Sequence, residues 1–95
     1  MGTYRTHISI VGQILDSTTG EIDEDVGANI THLIRKANVS HGRLSKILNN
    51  LVSQGLLEQV NSERSCRYKI SMSGREFLSA YKTFRNFSED FGLTI

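Results

Sequence analysis

Apolar residues recur every three or four positions in the first part of the chain, the spacing that places them on one face of a helix. Residues 7–17 carry one such stripe and end in the turn-forming residues 16–20, which offer the backbone local alternatives to a helix. A second stripe follows Asn29, an acceptable N-cap, and stops at Asn38. The pattern predicts helix 1 over residues 7–17 and helix 2 over residues 30–37.

A third helix is predicted directly after the second. Only Asn38 and Val39 separate helix 2 from Ser40, a good N-cap for a helix over residues 40–54 that ends at Gly55. Its apolar positions are Leu44, Ile47, Leu48, Leu51 and Val52. Two short helices joined by so tight a turn must cross at a steep angle, which is the helix-turn-helix arrangement.

The period changes after Gly55. Residues 56–60 and 66–70 flank a polar tip and predict a two-stranded β-hairpin, and Ser71 or Ser73 then caps a last helix that ends at Gly92. Residues 20–28 are predicted to be an acidic loop with one short extended pairing near Val26. The predicted class is α+β, mainly α: three helices, a hairpin and a C-terminal helix.

Length and composition favour one intracellular domain. With 95 residues a single core is viable, whereas two would each be marginal. We expect residues 1–73 to form the helix-turn-helix unit and residues 74–95 a helix of the same domain. Cys66 is the only cysteine and no long apolar run opens the chain, so we expect a reducing cytoplasm.

The formal net charge of +1 hides an uneven distribution. Residues 1–34 hold one basic side chain, Arg5, against five acidic ones, whereas residues 35–69 hold seven basic side chains against Glu58 and Glu63. A local basic surface, rather than a basic total, is what binding to nucleic acid requires.

The segments GANITHLIRKANVSHGRLSKILNNLVSQGLLEQV and RYKISMSGREFLSAY resemble the small archaeal winged helix-turn-helix family of predicted transcriptional regulators and chromatin-associated proteins. The resemblance runs from about residue 8 to 91. It implies a winged helix whose third helix enters the major groove, with the hairpin wing against the DNA backbone or minor groove. For some members it also implies dimerisation through the last helix. The loop 20–26 is longer and more acidic than the family pattern, and the last helix is shorter than in members with extended coiled coils.

Residue types suited to reading a groove lie on the predicted outer face of helix 3. Arginine can pair guanine and asparagine can pair adenine, and the first turns of the second helix of the motif approach the base edges. The alternative is an ordinary solvated helix face. The candidate DNA-binding residues are Ser40, His41, Arg43, Ser45, Lys46, Asn49 and Asn50.

The wing, residues 60–67, is predicted to contact the DNA backbone together with the strand that follows. Arg64 lies at the tip, and strand alternation places Arg67 and Lys69 on one face, with Cys66, Tyr68 and Ile70 on the other. Basic side chains on this face would neutralise phosphates and make binding depend on salt. The alternative is a charged edge that blocks strand-to-strand aggregation.

The last helix carries an aromatic seam. Phe77, Phe84 and Phe91 share one heptad position, and Ala80 and Phe87 share the other. Packing within one chain accounts for Phe77, Leu78 and Tyr81, but an exposed aromatic row is unfavourable in a monomer. The predicted dimerisation residues are Phe77, Tyr81, Phe84, Phe87 and Phe91.

No catalytic, metal or cofactor site is predicted. Asp23, Glu24 and Asp25 lack the spacing of a calcium loop, and the histidines share no metal-binding spacing with Cys66, which is expected to be a small buried residue. The predicted function is non-catalytic binding of double-stranded DNA by a homodimeric, nucleoid-associated regulator. The alternatives are a non-sequence-specific chromatin protein, a protein-interaction module, and a ligand- or metal-responsive sensor.

Overall fold

The computed structural model describes residues 6–19, 27–61 and 66–93. In chain order the elements are α1 (His7–Ser17), β1 (Ala28–Asn29), α2 (Ile30–Ala37), α3 (His41–Ser53), β2 (Leu57–Asn61), β3 (Cys66–Ile70) and α4 (Met72–Asp90). The predicted order of three helices, a hairpin and a last helix is confirmed. The predicted division at residues 73 and 74 falls inside the first turn of α4, because Ser71, rather than Ser73, caps that helix.

Polar caps explain where the helices begin. At each N-terminus a side-chain oxygen accepts a hydrogen bond from the backbone N–H three residues later, which satisfies one of the donors that a first turn leaves free. The caps are Thr6, Asn29, Ser40 and Ser71, and the donors are Ser9, His32, Arg43 and Gly74.

Two helices end at a glycine in the left-handed region. After α3, Gly55 has φ +79°, its N–H donates to the Val52 carbonyl and the Leu56 N–H donates to the Leu51 carbonyl. Gly92 ends α4 with the equivalent pair of bonds. This pairing is a Schellman motif, which requires the positive φ that glycine adopts without a steric penalty.

The sheet has three strands rather than the predicted two. Its order is β1-β3-β2, both pairings are antiparallel, and Ala28 and Asn29 lie opposite Tyr68 and Arg67. The short extended pairing expected near Val26 therefore lies at residues 28–29, while Val26 and the acidic loop 20–26 lie outside the described residues. Because β1 covers one edge of β3, the second strand of the hairpin becomes the central strand of the sheet.

The core lies between the helices and the sheet. Leu33, Leu44 and Leu48 from the helix-turn-helix are fully buried with Ile14 and Leu15 of α1. The same apolar cluster includes Leu57, Tyr68 and Ile70 from the sheet, and Leu78 and Tyr81 from α4. The stripes predicted for the first three helices therefore face one common core.

Helix α4 packs across α1. Gly12 leaves the space that the Tyr81 ring fills, because a Cβ at this position would lie 2.4 Å from the Tyr81 Cε2 atom. One turn further along α1, Asp16 Oδ1 lies 2.9 Å from Lys82 Nζ. Among the described residues, no helix has the length and apolar character that crossing a bilayer demands.

Candidate nucleic-acid interface

The turn between α2 and α3 fixes the start of the candidate recognition helix. Asn38 takes the left-handed conformation with φ 53° and ψ 53°, which asparagine tolerates better than most residues, and its N–H donates to the Ile34 carbonyl at 2.9 Å. Two residues later the Ser40 hydroxyl accepts from the Arg43 N–H at 3.3 Å. The two helices therefore meet through three residues that are held by hydrogen bonds at both ends.

The outer face of α3 exposes most of the predicted contact residues. Leu44, Ile47, Leu48 and Leu51 are buried, which turns the opposite side of the helix to solvent. The predicted contact residues that are exposed are His41, Arg43, Lys46, Asn49 and Asn50. Ser45 is half-buried, and the hydroxyl of the exposed Ser40 is already engaged as the N-cap, so these two offer less to a ligand than predicted.

The last turn of α2 adds two basic side chains that we did not predict as contacts. Arg35 and Lys36 are exposed and are separated from α3 only by the turn. With Arg43 and Lys46 they make up what we call the basic surface. No acidic residue occurs between positions 26 and 57, and within the described part of the chain none of these four side chains forms a salt bridge. The basic surface therefore brings four positive charges together on two consecutive elements.

Two wing residues have partners inside the chain. Arg67 is half-buried and its Nη1 donates to the Gly27 carbonyl at 3.2 Å, which ties the central strand to the segment before β1. Lys69 Nζ lies 3.7 Å from Glu58 Oε1 on the strand opposite. The predicted alternation of faces is correct, and both cations on the outer face have a partner within the chain. Arg64 lies outside the described residues.

The other face of the wing contains a buried tyrosine beside the only cysteine. Tyr68 is buried, and burial together with the hydrogen bond to Cys66 raises the pKa of Tyr68 to about 12. Cys66 is half-buried rather than buried as predicted, and its Sγ accepts from Gln59 Nε2 at 2.9 Å. Because the Tyr68 hydroxyl stays protonated at neutral pH, it adds no negative charge beneath the wing.

Helix α4 carries two rows of residues with the same alternating spacing. The inner row, Gly74, Leu78, Tyr81 and Ser88, is buried in the chain. The outer row, displaced by one position or about 100° around the helix, consists of Phe77, Ala80, Phe84, Phe87 and Phe91. Tyr81 is only 8% exposed and belongs to the inner row, so its prediction as a dimerisation residue is corrected.

The outer row becomes more exposed along the helix. Phe77 is partly buried against the core, whereas Phe84, Phe87 and Phe91 are 58%, 60% and 68% exposed. The rings of Phe87 and Phe91 lie 5.0 Å apart and tilted by 59°. These three rings form the largest group of neighbouring exposed aromatic side chains among the described residues.

An open cleft of about 350 Å³ lies between the end of α1 and α4, lined by Thr19, Arg75, Leu78, Ser79 and Lys82. Within the described ranges, no group of three histidine, cysteine or acidic residues is arranged to hold a metal ion.

The chain belongs to the winged helix-turn-helix family. A family profile with that description matches residues 4–89, which covers the helices, the sheet and nearly all of α4 described above. No curated protein gives a match.

Solved structures share the same fold. Sso10a-2, a DNA-binding protein from Sulfolobus solfataricus, superposes with a TM-score of 0.79 at 22% identity over 92% of this chain and 85% of that one. A point mutant of MepR from S. aureus gives 0.74 at 14% identity over 92% and 63%. The zinc-dependent MarR family transcriptional regulator AdcR gives 0.56 at 16% over 87% and 55%. This chain spans less than two thirds of the latter two chains. At these identities the likeness establishes the fold.

Proposed function

We propose that this protein binds double-stranded DNA without catalysis and acts as a transcriptional regulator. The observation that carries the proposal is the basic surface: four exposed basic side chains on the end of α2 and the start of α3, in a stretch of chain without acidic residues. The DNA-binding description of Sso10a-2 and the regulatory description of AdcR support it. The role implies a cytoplasmic, nucleoid-associated protein.

In this proposal α3 enters the major groove. The groove is about 12 Å wide and admits one helix, and the first turns of α3 would face the base edges. The guanidinium of Arg43 can pair guanine, and the side-chain amides of Asn49 and Asn50 can pair adenine. His41 and Lys46 are exposed on the same helix, where they would contact bases or phosphates.

The elements on either side of α3 would contact the backbone. Arg35 and Lys36 at the end of α2 would neutralise phosphates on one side of the groove, and Arg64 with Lys69 on the wing would do so on the other. Lys69 can exchange its partner for a phosphate, because the Glu58 pair is long and solvent-exposed. Arg67 serves instead to hold the wing to Gly27.

The proposed occupant of the outer row of α4 is a second copy of this chain. The row has the three-and-four spacing of a two-helix seam, and it contains no charged residue at any of its five positions. A two-fold dimer buries the same patch on both copies, so Phe87 at the middle of the exposed rings would pack near the partner's Phe87. Such a dimer would also present two copies of α3 to a pseudo-palindromic site.

Fluorescence anisotropy of a labelled mixed-sequence duplex, titrated at several salt concentrations, tests DNA binding. We expect affinity to fall steeply with salt, with Arg43→Ala and Lys46→Ala each weakening binding. Lys82→Ala is the control, since it removes the same charge from α4 while leaving the basic surface intact. Absence of binding at low salt would reject the proposal and favour the interaction-module alternative.

Sedimentation velocity of single variants tests dimerisation. Phe87→Glu should give a monomer, because it places a charge in the middle of the proposed seam, whereas Met72→Glu should leave the dimer intact. Met72 is a fair control because it is 77% exposed on the same helix but outside the outer row. A monomeric wild-type protein at micromolar concentration would contradict the proposed dimer without affecting the assignment of α3.

A further inference from the structure

Hydrogen bonds between residues far apart in sequence join the turn after α3 to the start of α4. The Ser71 hydroxyl donates to the Gly55 carbonyl at 2.5 Å and also accepts from the Gly74 N–H at 2.9 Å. The Ser71 N–H donates to the Leu56 carbonyl at 3.2 Å. One side chain therefore caps α4 and holds the turn that terminates α3.

Gly74, in the first turn of α4, packs directly against the backbone of the turn after α3. A Cβ on Gly74 would lie 2.1 Å from the Leu56 carbonyl oxygen, which only a glycine avoids. We call Gly55, Leu56, Ser71 and Gly74 the latch. Its backbone on the α3 side is itself fixed by the Schellman motif, so neither side of the latch is a loose loop.

The latch links the two surfaces of the proposed function. One side continues directly into α3, and the other begins the helix that carries the outer row. We infer that Ser71 is a positioning residue, which holds α3 at a fixed angle to α4 and thereby sets the separation of the two recognition helices in a dimer. The inference rests on the proposed function, because without a dimer there is no such separation.

Two substitutions at Ser71 distinguish its hydrogen bond to Gly55 from its role as the N-cap of α4. Ser71→Asp keeps an oxygen that accepts from the Gly74 N–H, and aspartate is a favourable N-cap, but it cannot donate to the Gly55 carbonyl. Ser71→Thr keeps the hydroxyl and both bonds. If the aspartate variant does not fold, as judged by far-ultraviolet circular dichroism, Ser71→Ala takes its place, since it also lacks the donor.

Pulsed electron spin resonance between nitroxides on the two copies measures the separation. A Cys66→Ser background removes the native thiol, and Ser53→Cys labels α3 at an exposed position outside the proposed contacts. Ser79→Cys labels the exposed surface of α4 as the reference. With Ser71 or Ser71→Thr, we expect one narrow distribution of distances between the α3 labels of the two copies. With Ser71→Asp, we expect this distribution to broaden or shift while the distance between the α4 labels stays unchanged.

The outcomes distinguish the latch from the proposed function. An unchanged distance between the α3 labels in Ser71→Asp would refute the positioning role of Ser71 and leave the proposals of DNA binding and dimerisation intact. Equal changes in the α3 and α4 label distances would refute that role in the same way. No dipolar signal in the wild-type background would overturn the dimer and the latch together. Selection from a randomised duplex pool gives the functional readout: paired half-sites with one separation for wild type, and with several for Ser71→Asp.

Discussion

Gly74→Ala should destabilise the protein although it replaces a glycine inside a helix. In an exposed helix the change would be favourable by up to about 1 kcal/mol. At this position the new methyl group would lie 2.1 Å from the Leu56 carbonyl oxygen, more than 1 Å inside ordinary contact, so α4 must move away from the turn. The obstacle is backbone held at both ends, which cannot rotate aside as a side chain would.

The magnitude follows from what that movement breaks. Two hydrogen bonds join Ser71 to Gly55 and Leu56, and each contributes about 1 kcal/mol net. Overpacking increases the loss of stability by about 1–3 kcal/mol, and the greater helix propensity of alanine reduces it by about 1 kcal/mol. We therefore expect a loss of about 2–4 kcal/mol, equivalent to a fall in Tm of roughly 10–25 °C for a domain of this size.

Urea unfolding followed by circular dichroism at one fixed protein concentration measures the change, since dimerisation makes stability depend on concentration. The matched control is Gly42→Ala, the same substitution in α3 where a Cβ would meet nothing within 4 Å. We expect the control to be neutral or slightly stabilised. A Gly74→Ala protein as stable as its parent would refute the close packing of α4 on the turn.

Three further predictions concern other contacts. Gly12→Ala should cost about 1–3 kcal/mol in urea unfolding, because its methyl group would enter the buried Tyr81 ring; an unchanged midpoint would contradict the packing of α1 on α4. Tyr68 should titrate with a pKa of about 12 in an ultraviolet titration of the folded protein. Because this pKa exceeds the unfolded value of about 10, the stability that Tyr68 contributes should be complete below pH 10 and lost between about pH 10 and 12. A Tyr68 that titrates near pH 10 in the folded protein would refute its burial. Arg67→Ala should lower thermal stability and Lys69→Ala should change it little, because only the Arg67 side chain bonds a backbone carbonyl across the sheet; equal effects would show that Arg67 does not anchor the wing.

The bounds of the helices could be predicted because their signals are local. Asn29, Ser40 and Ser71 cap helices through bonds that span three residues, and Gly55 and Gly92 end them within the same short range. The exposed face of α3 followed from the same locality, since four buried apolar positions fix which side points outward.

The features that the sequence did not predict depend on distant parts of the chain. Strand β1 has only two residues, too few to show a period, and it exists because β3 lies beside it. Its presence changes the surroundings of Arg67, which bonds a carbonyl 40 residues away. Tyr81 was expected both to pack within the chain and to take part in dimerisation, and its contact with Gly12 of α1 leaves it buried in the chain.

An NMR titration of the labelled protein with a mixed-sequence duplex tests most directly whether the basic surface binds DNA. Amide resonances of the last turn of α2 and of α3 should shift together and return as salt is raised, while those of the outer row of α4 remain unchanged. Shifts confined to α4, or none at low salt, would contradict the account.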